Sequence, residues 1–360
     1  MKKKKISNTP GTTSVWETWR NAGSEVYKQD GSEPPLWDDT SLPDEKPGRV
    51  PKVAKFTAQE RIIKPFFSPG DGVFHNDGGF GETRLNRSTY EFVRTQCLYS
   101  IEGQQRYAKA VETGKKPPIQ FPADSIEVKA AWIDFADPQG DGSVPPIPPE
   151  RRATYYTADF QGKTFGLVAL HILTKDLKNW FWATFRHKDA PVDDAETPDT
   201  YGPPSEIRGT VWENYRLGGV QADFTLPTGE PTLLSDHYVE FNFLKTSCMT
   251  CHATAAISSQ IATSSSGKKF TGIPNGQALA VCSIMPDAQD AGLALCRQLL
   301  GNAAFEPGTN NLVMKRGVPD PTWFQKNGKS FYMQTDFVWS IPFRGKSEGT
   351  ATAPPARCNW

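Results

Sequence analysis

Between Ile126 and His187 apolar side chains tend to recur at every second position. Four segments carry this period, "IEVKAAWIDF", "ATYYTADF", "FGLVALHIL" and "NWFWATFRH", and all are rich in β-branched and aromatic residues. They predict four strands. The last two are joined by the short polar "TKDLK", which predicts a hairpin, and the first two are separated by the proline-rich loop "ADPQGDGSVPPIPPERR". An antiparallel meander is the simplest arrangement of the four. Upstream the period changes to that of a helix: Tyr90, Val93, Cys97, Ile101 and Ala108 lie on one stripe. Asn86 or Ser88 can cap this helix, and Gly114 stops it.

The flanks are less regular. Residues 1–60 hold one helix candidate, "SVWETWRNAGSEVY", followed by a stretch rich in proline and charge that predicts an arm along the surface. Beyond Ala190, "SEIRGTVWENYRLGG" is helical in part, "DAGLALCRQLLGN" is a helix ended by Gly301, and "SFYMQTDFVWSIPFRG" is a closing strand. Together these predict an α+β fold with a β-rich antiparallel centre at about 121–190, flanking helices and long irregular loops. Residues 1–60 form the arm, and 61–360 form a single domain.

Composition bounds the function. The chain has 360 residues, enough for a substantial core, with 30 glycines and 30 prolines that favour loop-built structure. Forty basic residues balance forty acidic ones, so charge offers no reason to propose a nucleic acid or an acidic membrane as partner. No apolar run approaches the roughly 20 residues of a membrane helix. The basic start "MKKKKISNTP" lacks the apolar segment of a signal peptide. There is no phosphate-binding glycine loop, nucleophile elbow or H-E-x-x-H.

The six cysteines carry the chemistry. Cys97 reads as a small buried apolar residue of its helix, Cys358 as incidental, and Cys282 with Cys296 as a pair able to bridge in an oxidising compartment. Cys248 and Cys251 are different, because "CMTCH" places His252 directly behind the second thiol. A redox dithiol would put the first cysteine at a helix N-terminus in a βαβ setting, which the flanking pattern lacks, and would leave His252 without a role. A closed zinc site would need two more ligands. Cys282 and Cys296 do not have the short spacing such a knuckle uses. Covalent haem uses every residue of the motif: two thiols take the vinyl groups and the imidazole takes the iron. The reading from the residues is one haem c, anchored by Cys248 and Cys251 in an attachment segment at about 240–300, with His252 as proximal iron ligand.

The motif resembles the c-type cytochromes. The longer set "WFWATFRHKD", "WENYRLGG", "PTLLSDHYVEFNF", "SCMTCHA" and "TDFVWSIPF" is similar to a bacterial family of monohaem cytochrome c proteins of uncharacterised activity, over roughly residues 80 to 345. A haem site late in a β-rich chain is also similar to haem c enzymes that oxidise hydroxylamine. The sixth iron ligand decides between an electron carrier and a site open to small molecules. Met285, followed by Pro286, and His187 are the leading distal candidates, with His171, then His75 and His237, behind them; an open site is the other choice. Expected partners are a redox protein, with no nucleic acid and no integral membrane segment. Haem c attachment implies a periplasmic or extracytoplasmic location, hence export of the chain.

Overall fold

The computed structural model describes residues 14–39, 79–137, 146–160, 163–190, 199–234, 236, 247–263, 269–271, 317–326, 328–348 and 355–360. At its centre lies one antiparallel sheet. Its strands are β1 (Arg20–Asn21), β2 (Gly79–Leu85), β3 (Ile126–Asp134), β4 (Thr157–Phe160), β5 (Lys163–Thr174), β6 (Phe181–His187) and β7 (Tyr215–Gln221). The order is β1-β2-β3-β5-β6-β7, with β4 pairing β5 off this path. The four strands read from the period-two pattern are β3 to β6, and the β5–β6 hairpin forms as expected. The simple meander does not. β3 pairs with β5 rather than with β4, because β5 is long enough to take β3 along one edge and both β4 and β6 along the other. The result is an α+β fold.

One face of the sheet is apolar. Val128, Ala130 and Trp132 of β3 pack with Phe165 and Leu170 of β5 and with Tyr215 of β7, and Trp16 and Trp212 close over them. Trp132 is fully buried, and its indole N–H donates to Glu82 at 3.1 Å. That pairing is needed, because an unpaired donor at such depth costs about 1–3 kcal/mol.

Helical structure differs from the single long helix expected between Asn86 and Gly114. The described chain forms α1 (Arg87–Thr95) and α2 (Ile101–Glu112). Asn86 caps α1 by accepting from the Thr89 amide, Ser100 caps α2 by accepting from the Gly103 amide, and Gly114 at φ 71° follows the end. The break falls at Cys97, which has φ 56° and forms a disulfide with Cys358. Two readings are thereby corrected: Cys97 is not a passive apolar residue and Cys358 is not incidental. The pair lies 261 residues apart in sequence with Cα atoms 6.0 Å apart, and both residues are fully buried.

The N-terminal helix is also corrected. Val15–Thr18 is a 3-10 turn, Arg20 and Asn21 pair with Leu85 and Arg84 as β1, and Ala22–Val26 is a short π-helical turn. Trp16, Ala22, Val26 and Tyr27 are core residues, so this segment belongs to the body of the fold. The stretch after it does lie along α1, with Tyr90 and Arg94 donating to the carbonyls of Pro35 and Pro34. Near the C-terminus, the expected closing strand is only Tyr332–Gln334, paired with β8 (Ala256–Ser258), and a helix follows at Ser340–Arg344. The Gly301-ended helix lies outside the described residues. No helix among the described residues is long and apolar enough to cross a membrane.

Candidate functional site

The second face of the sheet builds the site. Cross-strand pairing arranges its inward side chains in three rows: Glu127–Leu173–Trp182–Gln221, then Lys129–His171–Thr184–Gly219, then Ala131–Ala169–Arg186. The first row meets the "CMTCH" segment, which forms a helix over Cys248–Ala253. Gln221 holds the start of that helix. Its carbonyl oxygen accepts from the Met249 amide at 3.0 Å, and its amide donates to Ser247 Oγ at 2.8 Å. Ser247 in turn caps the helix by accepting from the Thr250 amide at 3.2 Å. Met249 and Ala253 point into the core. One turn of helix therefore brings Cys248, Cys251 and His252 to neighbouring positions, at spacings of three and four. Both cysteines are present as thiols.

The other end of the helix is held by the segment Gln334–Trp339. Gln334 Nε2 donates to the Ala253 carbonyl at 2.7 Å, and the Thr335 amide donates to the Ala255 carbonyl at 2.8 Å. Trp339 Nε1 donates to the Cys251 carbonyl at 3.1 Å. Asp336 and Phe337 both occupy the left-handed region, at φ 50° and 72°, where non-glycine residues are strained. Lys175 and the Phe121 amide anchor the Asp336 carboxylate, at 2.7 and 2.8 Å, and so hold this backbone in place. Its product is one contact: the Phe337 carbonyl lies 2.9 Å from His252 Nδ1.

A carbonyl can only accept, so Nδ1 donates and Nε2 carries the lone pair. Metal-bound histidines are oriented in the same way, by a hydrogen bond at the other ring nitrogen. The Trp182 ring meets the imidazole edge-on, with centroids 4.6 Å apart. Burial pushes the His252 pKa down to about 3; the Phe337 bond opposes this, while the nearby Lys129 and His171 add to it. The imidazole is neutral at ordinary pH, the form a metal needs. Cys251 and His252 are half-buried, whereas Cys248 is buried and its thiol donates to the Leu234 carbonyl at 3.1 Å. Two thiols and a neutral imidazole whose lone pair is on Nε2 are the donor types that haem c uses.

Next to Trp182 lies a polar cluster on the second and third rows. His171 is 6% exposed, and Thr184, Arg186 and Asp236 are fully buried or nearly so. Arg186 Nε donates to Asp236 Oδ2 at 2.8 Å, and the same oxygen lies 3.7 Å from His171 Nε2. Burial opposes ionisation of Asp236, but His171 and Arg186 outweigh it and hold the carboxyl below its ordinary range. Beside them, burial lifts the Glu127 pKa to about 7, against the pull of Arg344 and Lys129. Lys129 and Glu127 were not singled out in the sequence. The available signal was two charged residues, two apart, in an otherwise largely apolar central strand.

The structure separates the distal candidates. His187 lies five residues along β6 from Trp182, on the order of 16 Å away, and on the opposite face. Its ring stacks on Tyr155 at 3.6 Å. Nδ1 accepts from the Asp189 amide at 3.2 Å and Nε2 meets the Thr154 carbonyl at 3.2 Å, so both nitrogens are used structurally. His171, in contrast, shares the face and the neighbouring row with Trp182. Met285, His75, His237, Cys282 and Cys296 lie outside the described residues. Among the described residues no three His, Cys, Asp or Glu side chains gather as a metal site. The chain matches no protein-family model, no curated protein and no solved structure.

Proposed function

We propose that the chain carries one covalent haem c on Cys248 and Cys251, with His252 as proximal ligand, and transfers single electrons to and from a redox protein in an extracytoplasmic chain. The observation that carries this reading is the tautomer of His252: Nδ1 is committed to the Phe337 carbonyl, so the lone pair is on Nε2, in the same helical turn as the two thiols. When bound, the haem would supply a one-electron couple. The protein's own part is to fix the imidazole tautomer, exclude bulk water with Trp182, and keep the helix in place through Gln221 and Trp339. The Cys97–Cys358 bridge supports an oxidising compartment, the same setting haem c attachment requires.

A second reading is favoured by the polar rows next to Trp182. The buried His171, Arg186 and Asp236 would suit a haem c oxidoreductase acting on a small molecule at an open iron more than an electron carrier with two strong ligands. Expression with an export signal and a cytochrome c maturation system tests the shared premise. The protein should hold haem through acid–acetone extraction, and His252→Ala should keep the thioethers while losing the proximal ligand. Extractable haem, or zinc at one per chain with no Soret band, would refute both readings.

A further inference from the structure

Glu127 is an acidic side chain where packing calls for an apolar one. It opens the row Glu127–Leu173–Trp182–Gln221, and its cross-strand neighbours are Leu85 on β2 and Leu173 on β5. It is 9% exposed, and its Oε2 has no hydrogen-bond partner among the described residues. An apolar residue would avoid the cost of that buried oxygen. The polar groups that face it come from three elements. Lys129 lies two residues along its own strand, Arg344 belongs to the helix Ser340–Arg344, and Tyr27 comes from the N-terminal segment. Arg344 and Lys129 favour the carboxylate, but burial outweighs them and lifts the pKa to about 7. Tyr27 keeps its proton, because burial pushes its hydroxyl far above the ordinary range. Of the four side chains in the row, only Glu127 titrates. Two contacts tie this end of the row to the Cys248–Ala253 helix. Trp182, two strands away and hence at about 10 Å, meets the His252 ring. Trp339, which precedes the Arg344 helix, donates to the Cys251 carbonyl.

We infer that Glu127 binds a proton as the site gains an electron and releases it as the electron leaves, so that the chain carries a proton with each electron. The inference rests on the haem reading and goes beyond it. Charge and atoms balance: the redox partner supplies one electron, solvent supplies one proton, and Glu127 passes from carboxylate to carboxylic acid with no other bond made. The cause is electrostatic. Reduction removes one positive charge from the iron, and the carboxylate loses that attraction. At roughly 10–15 Å and an effective dielectric of about 20, one unit of charge changes the proton affinity of such a group about tenfold. Leu85 and Leu173 on either side keep water from screening the effect.

The test measures the reduction potential of the full-length holoprotein as a function of pH. In the parent the potential should fall as pH rises from about 7 to about 8, by about 59 mV in all, the equivalent of a tenfold change for one electron. Glu127→Gln keeps the shape of the protonated acid and cannot titrate. Its potential should be flat over that range and equal to the low-pH value of the parent. The reduced-minus-oxidised infrared spectrum supplies a second readout. At neutral pH the parent should gain a carboxylic-acid carbonyl band on reduction, and Glu127→Gln should not. A parent whose potential does not change with pH overturns the inference. So does a pH dependence, or a carbonyl band, that persists in Glu127→Gln, because the proton is then held by another group such as a haem propionate. Both outcomes leave haem attachment standing, whereas a parent with no covalent haem removes the proposed function and this inference together.

Discussion

Breaking the Cys97–Cys358 bridge should destabilise the protein by several kcal/mol without touching the Cys248–Ala253 helix. The bond closes a loop of 261 residues. In the chain-entropy account, closing a loop of that length removes roughly 19 cal/mol/K from the unfolded chain, or about 5.5 kcal/mol at room temperature. Measured bridges more often give about 2–4 kcal/mol, because the unfolded reference keeps some structure. Cys358→Ser should therefore cost about 3–5 kcal/mol. The tail does not depend on the bridge alone: Trp360 packs edge-on against Tyr107, with centroids 5.4 Å apart, and Lys116 lies 4.6 Å from its ring centroid. Those contacts are retained in the variant, so the loss should come mainly from the unfolded chain. Guanidinium unfolding followed by tryptophan fluorescence measures it. Cys97→Ser, Cys358→Ser and the double variant should lose the same stability within about 1 kcal/mol, because each removes one shared bond. Losses that add in the double variant, or a loss under about 1 kcal/mol in every variant, would refute the bridge as a stabilising element. Thiol titration of the unreduced, unfolded parent that finds both cysteines reactive would refute the bridge itself.

Glu127 should make stability depend on pH. Its pKa is raised from 4.5 to about 7 in the folded state, so the proton favours folding. That contribution is complete below about pH 4.5 and is lost as pH rises to about 7, up to about 3 kcal/mol in all. Glu127→Gln should flatten this decline and exceed the parent in denaturant unfolding at pH 8; equal slopes between pH 5 and 8 in the two proteins would exclude it. His187→Ala should cost about 2–4 kcal/mol in the same assay, through the cavity left beneath Tyr155, while leaving the Soret and visible bands of the holoprotein unchanged. A change of spin state in that variant would return His187 to the iron.

Strand content was legible because a period of two survives whatever covers the sheet. What covers each face was not. His171 and His187 look alike in sequence, each alternating with apolar neighbours on its strand, and a local pattern cannot rank them. Register does: His171 stands opposite Thr184 and one row from Trp182, whereas His187 lies at the end of β6 on the other face, against Tyr155. The break between α1 and α2 was hidden for a related reason. Cys97 continues the helical stripe of Tyr90 and Val93, and the partner that fixes its left-handed backbone lies 261 residues away. Periodicity has no access to a constraint of that range. The C-x-x-C-H motif was legible because its three groups sit within one helical turn, but the Phe337 carbonyl that sets the His252 tautomer comes from 85 residues downstream. Local chemistry is thus written locally, and its orientation is supplied by distant backbone. A better sequence signal was the pair Glu127 and Lys129, charged side chains in phase with each other on a central strand whose opposite phase, Val128, Ala130 and Trp132, is buried. Both sets of alternating positions on β3 are covered, so charge in one of them marks the face that must be explained by a site rather than by solvent.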